Sequence, residues 1–112
     1  MKKILIVEDD KSNLDVLTLI FENESHLVKG LSSGKDFLKN VLRFKPDIIF
    51  ADIMLGDYNG MQLCNSLKSN SQTKSIPYYF MSVGKFEEVS KSFGAAGYIS
   101  KPYELSDILA VI

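Results

Sequence analysis

The chain has 112 residues, enough to bury one core and too few for a second. Its 46% hydrophobic and 24% charged residues are those of a folded globular domain rather than a disordered one. A net charge of −1 provides no basic field for nucleic-acid phosphates, so direct nucleic-acid binding is not expected. No apolar run approaches membrane-spanning length, and the short run after Met1-Lys2-Lys3 meets acids at once, unlike a signal peptide. A cytoplasmic protein is expected. The one cysteine, Cys64, excludes an internal disulfide and reads as a small core residue on a helix.

Short apolar runs alternate with amphipathic stretches along the whole chain. Ile4-Leu5-Ile6-Val7 has no polar alternation, as in a strand buried on both faces of a parallel sheet. Asn13 to Phe21 reads as a helix with Leu14, Leu17 and Phe21 on one face and Val16 and Ile20 beside them, capped by Ser12 or Asp10. Leu27 to Leu31 is a weaker second strand, and Gly34 to Phe44 a helix turning Phe37, Leu38, Val41 and Leu42 inward. Pro46-Asp47 breaks that helix and opens the third strand, Ile48-Ile49-Phe50-Ala51, which runs into Asp52.

A glycine-bearing loop, Gly56 to Gly60, leads to a helix with Leu63, Cys64 and Leu67 on one side. Ile76 to Met81 is the fourth strand, with Pro77 near its start, where a missing N–H does least harm. A short helix with Phe86, Val89 and Phe93 inward precedes a brief fifth strand, Gly97-Tyr98-Ile99. Lys101-Pro102 reads as a turn, and Leu105, Ile108, Leu109 and Ile112 mark a last helix. The fold class expected is α/β: five parallel strands in the order 2-1-3-4-5 with helices on both faces, as in flavodoxin-like proteins.

Ligands of such sheets sit beyond the carboxyl ends of the strands. Glu8, Asp9 and Asp10 follow the first strand, Asp52 the third, Ser82 the fourth, and Ser100 and Lys101 the fifth. Each has an ordinary reading alone: acids favour helix starts, an aspartate suits a turn, and a lysine is usually solvated. Their convergence on one edge is what points to chemistry. Clustered carboxylates repel unless a cation lies among them, and an oxygen-only donor set suits Mg²⁺ better than a transition metal. Phosphoryl transfer fits, with Asp52 as nucleophile, Mg²⁺ on Asp9 and Asp52, Lys101 as a mobile positive charge and Ser82 as a hydrogen-bond donor.

These segments resemble the receiver domains of two-component response regulators over essentially the whole chain. The resemblance is carried by Ile4 to Asp10, by Asp52 to Gly60, by Ile76-Pro77 through Met81-Ser82-Val83, and by Gly94 to Tyr103 with its Lys101-Pro102 pair. It implies that Asp52 is phosphorylated by a histidine kinase or phosphotransfer protein. Glu8 (through water), Asp9, Asp52 and the Met54 backbone carbonyl would then surround Mg²⁺, with Ser82 and Lys101 on the phosphoryl group. It further implies that Tyr98 is the aromatic that turns inward on activation and that the Lys101-Pro102 bond is cis. A homodimer or an output partner would use the face formed by helix 4, strand 5 and helix 5. Such a domain is a signalling module rather than an enzyme with its own substrate.

The chain departs from the family pattern in places. Gly56 stands where proline is usual, the segment from Ser82 to Lys101 is short by roughly one helical turn, and Val83 replaces a small residue beside the switch. A shortened fourth helix is therefore expected, with Val83 crowding the path of Tyr98. Residues 1–112 are expected to be a single receiver domain trimmed near its last helix. The short helix and Val83 favour a rival reading, a receiver-like interaction module that works without phosphorylation. A phosphohydrolase is disfavoured because Met54 stands where a second acid belongs, and a flavin protein because acids follow the first strand.

Overall fold

Ile4, Leu5, Ile6 and Val7 have no polar face to turn toward water, and the chain buries all four completely in the strand β1 (Lys3–Val7). The computed structural model describes residues 1–84 and 87–112. After β1 come α1 (Lys11–Asn23), β2 (Leu27–Leu31), α2 (Phe37–Phe44), β3 (Ile48–Asp52), β4 (Met54–Leu55), β5 (Tyr58–Asn59) and α3 (Gly60–Lys68). The chain then forms β6 (Tyr78–Val83), α4 (Glu87–Ser92), β7 (Gly97–Lys101) and α5 (Leu105–Leu109). The main sheet is parallel with the order β2-β1-β3-β6-β7, the expected 2-1-3-4-5.

Alternation along the strands divides the core in two. Leu5, Val7, Ile49, Ala51, Tyr78 and Phe80 pack against Phe37 and Val41 of α2 and Leu63, Cys64 and Leu67 of α3. Ile4, Ile6, Ile48, Phe50 and Met81 pack on the other face against Leu17 and Phe21 of α1 and Ile108 of α5. Phe50 stacks between Phe21 and Tyr79, at centroid distances of 5.4 and 5.6 Å. Burial of such a ring stabilises by roughly 1.5–3 kcal/mol. Cys64 is buried as expected, and burial pushes its thiol pKa up.

Several details depart from the sequence reading. Asp10, not Ser12, caps α1, accepting from the Asn13 N–H at 3.2 Å, and Val16 faces solvent. The helix expected from Gly34 begins at Phe37, because Asp36 takes a left-handed φ of 56°. The fourth strand starts at Tyr78 and continues through Val83, and the fifth extends through Lys101. Part of the expected loop folds into the antiparallel β4–β5 hairpin, turned by Gly56 at a φ of 66°. Among the described residues α4 spans Glu87–Ser92, and Phe86, expected on its inner face, lies outside them. Leu105 of the last helix is exposed while Ile108 is buried.

Candidate functional site

The strands deliver their polar residues to one edge of the sheet. Glu8 follows β1 directly, its N–H held by the Leu31 carbonyl of β2 at 2.9 Å. Asp52 ends β3 and is paired in register with Met81, while Lys101 ends β7 opposite Val83. The Glu8 and Asp52 residues are only 1% and 8% exposed. The Lys101 Nζ donates to Asp52 Oδ2 at 2.7 Å and to both Glu8 oxygens at 3.2 and 3.3 Å. One ammonium thus bridges two buried carboxylates.

Burial pushes the Glu8 carboxyl up to about 7, and hydrogen bonding and repulsion with Asp52 act in the same direction. Lys101 and Asn13 oppose that rise, Asn13 donating from Nδ2 to Glu8 Oε1 at 3.3 Å. For Lys101, burial acts to lower the ammonium pKa, but the bond and charge of Asp52, joined by Glu8, outweigh it and the net shift is upward. Lys101 therefore stays charged through the neutral range.

Asp9 is exposed, yet one oxygen from each of Glu8, Asp9 and Asp52 lies within 4.8 Å of the others. Three carboxylates against one ammonium leave negative charge in excess when all are ionised. An all-oxygen donor set of that charge fits a hard divalent cation such as Mg²⁺. Asp52 Oδ1 accepts from the Met54 N–H at 3.2 Å, so Met54 is tied to the site through its amide while its side chain is exposed. Ser82 is buried at the end of β6, and its Oγ–H points to the Val83 carbonyl at 3.4 Å.

Tyr98 is half-buried and packs against the core on the α2–α3 side. Val83 is exposed and lines a cleft of about 430 Å³ with Asn13, Val16, Lys101, Pro102 and Tyr103. In this structure Val83 and Tyr98 therefore lie on opposite faces of the sheet. The Lys101–Pro102 peptide is cis. Asn13 was not singled out from the sequence, because an asparagine at a helix start reads as a cap. Tyr103, whose pKa burial raises, likewise showed no signal before the fold placed it beside Lys101.

Residues 4–112 match the response regulator receiver domain family. The chain is 33% identical over 112 residues to the response regulator ArlR of Staphylococcus saprophyticus, covering all of this chain and 51% of that protein. It is 30% identical over 116 residues to protein PilH of Pseudomonas aeruginosa, covering all of this chain and 95% of that one. The chain thus spans about half the length of ArlR and nearly all of PilH. The fold is similar to a crystal structure of a putative response regulator from Chloroflexus aurantiacus, with a TM-score of 0.92 and 25% identity over 98% of this chain and 93% of that one. It also resembles the chemotaxis response regulator CheY4 of Vibrio cholerae, with a TM-score of 0.91 and 22% identity over 99% and 95% of the two chains. Among the described residues no helix is long and apolar enough to cross a membrane.

Proposed function

Since the chain belongs to the response regulator receiver domain family, we propose that it is a phospho-accepting switch whose Asp52 takes a phosphoryl group from a histidine kinase or phosphotransfer protein. The observation that carries this reading is Lys101 Nζ 2.7 Å from Asp52 Oδ2, beside Glu8 and Asp9, which offer further oxygens. Asp9 and Asp52 would hold Mg²⁺, with Glu8 acting through water and the Met54 carbonyl completing the protein's share. When bound, the cation neutralises charge on the incoming phosphoryl oxygens and helps align them.

The chain's own residues supply the rest. A carboxylate oxygen of Asp52 forms the new bond to phosphorus as the donor's P–N bond breaks and its imidazole leaves. Lys101, charged through the neutral range, moves its hydrogen bond from Asp52 to a phosphoryl oxygen, and Ser82 donates a second. Hydrolysis of the acyl phosphate returns the resting state, so the domain signals rather than turning over a separate substrate. Drawing Ser82 toward the phosphate shifts the population of two arrangements of the loop after β6 and of Tyr98. The α4–β7–α5 face then meets a homodimer partner or an output partner. A cytoplasmic site of action goes with this reading.

The test is incubation with Mg²⁺ and a small acyl-phosphate or phosphoramidate donor, read by intact mass for wild type and Asp52→Asn. A Mg²⁺-dependent gain of one phosphate that vanishes in the variant supports the reading. No adduct under conditions that label other receivers overturns it in favour of an interaction module independent of phosphorylation.

A further inference from the structure

Between Asp52 and α3 the chain makes a tight excursion, the β4–β5 hairpin, and returns to its starting point at Gly60. The Gly60 N–H donates to the Ile53 carbonyl at 2.8 Å. Its Cα lies so close to the backbone of Asp52 and Ile53 that an added Cβ would collide with the Asp52 carbonyl oxygen. Gly60 is therefore the clasp that closes the loop onto the acceptor. Any drift of Gly60 displaces the backbone from which both the Asp52 carboxylate and the Met54 amide project.

The clasp is held from outside the loop. Tyr78, at the start of β6, is wholly buried, and its hydroxyl donates to the Gly60 carbonyl at 2.7 Å. Its ring is fixed edge-on by Phe37 and Phe80, at centroid distances of 6.3 and 5.3 Å. An apolar residue of β-strand type would fill this core position without the hydroxyl. Gly60 is the first residue of α3, so its carbonyl is also within the helix's own hydrogen-bonding pattern. The tyrosine is thus additional to what the helix requires. Burial pushes the Tyr78 hydroxyl pKa well up, so it remains a donor across the working pH range.

We propose that Tyr78 is a positioning residue, whose hydroxyl holds Gly60 and through it sets the geometry of the Asp52–Met54 segment for metal binding and phosphoryl acceptance. This rests on the reading of Asp52 as a Mg²⁺-dependent phosphoacceptor. Tyr78 touches none of the reacting groups. It acts as outer supports of metal sites do, by restricting where the inner ligands can point.

The experiment compares wild type, Tyr78→Phe and Thr73→Val. Thr73 is the control: its buried hydroxyl donates to the Leu67 carbonyl at 2.7 Å, at the far end of α3. Each substitution removes one buried hydroxyl and should lower the melting temperature by roughly 5 °C. Mg²⁺ affinity, measured on folded protein at 25 °C, should weaken on the order of tenfold in Tyr78→Phe and stay at the wild-type value in Thr73→Val. Wild-type Mg²⁺ affinity in Tyr78→Phe, or an equal loss in Thr73→Val, overturns the proposal.

A measurement on the wild type needs no variant to fold. By reciprocity, Mg²⁺ should slow exchange of the Tyr78 hydroxyl proton and shift its resonance. A resonance indifferent to saturating Mg²⁺ overturns the proposal as well. If the wild type binds Mg²⁺ but accepts no phosphate, the phosphoacceptor reading fails while the metal measurements still judge Tyr78.

Discussion

The central strands β1 and β3 and the outer strands β2 and β7 belong to one sheet but live in different environments. From Ile4 to Val7 and from Ile48 to Asp52 every residue is buried, whereas β2 has no buried residue and β7 only Ile99. The two buried carboxylates follow or end the central strands, and the cation that meets them comes from the end of an outer one. The proposed nucleophile, Asp52, ends a strand in which every residue is buried. The lysine proposed to pass from carboxylate to phosphate ends a strand in which only Ile99 is buried. The difference between the two pairs of strands is therefore a division of labour within one site.

The largest effect expected tests the central side directly: Asp52→Asn should lose all phosphate uptake in the intact-mass assay, while the fold is retained by circular dichroism. Next, Phe50→Ala removes the middle ring of the Phe21–Phe50–Tyr79 stack. It should cost roughly 3–5 kcal/mol in denaturant unfolding. On the outer side, Lys101→Met removes the ammonium that bridges Asp52 and Glu8. Phosphorylation by a small donor should slow about 100-fold, with the protein still folded. A rate within a few-fold of wild type would remove the lysine from its role.

A smaller effect is expected from pH. The folded pKa of Glu8 lies at about 7, above its ordinary 4.5. Its contribution to stability is therefore fully present below pH 4.5 and is lost as pH rises through 7. Metal-free protein should lose stability over that window, and Glu8→Gln should flatten the slope. Mg²⁺ should bind more tightly as pH rises through about 7, since it competes with the Glu8 proton. A pH-independent affinity would contradict this account. The smallest effect belongs to β2: Leu27 is 47% exposed, and Leu27→Ala should change stability by less than about 0.5 kcal/mol.

The sequence showed the strands most plainly where burial is greatest. Ile4 to Val7 and Ile48 to Ala51 are continuous apolar runs, and only a strand covered on both faces makes sense of them. It also placed Glu8, Asp9, Asp52, Ser82 and Lys101 at strand ends, since the connectivity rules for parallel sheets send those ends to one edge. Element boundaries were less legible. Ser12 and Asp10 are both good caps, and only the Asn13 N–H settled the choice. The β4–β5 hairpin is two residues on each side, too short for any periodicity to reveal.

Three decisions belong to the tertiary structure. Val16 looked as apolar as its helical neighbours, but the packing of α1 on β1 and β3 leaves it facing solvent. Tyr78 looked like one more aromatic in a strand, and only the fold brings Gly60, eighteen positions earlier, within reach of its hydroxyl. Lys101 is 93 positions from Glu8 and 49 from Asp52, so its bridge between them has no local signature. A pattern of hydrophobicity depends on near neighbours and survives in the linear text. Hydrogen bonds between distant residues exist only once the sheet has set their distances.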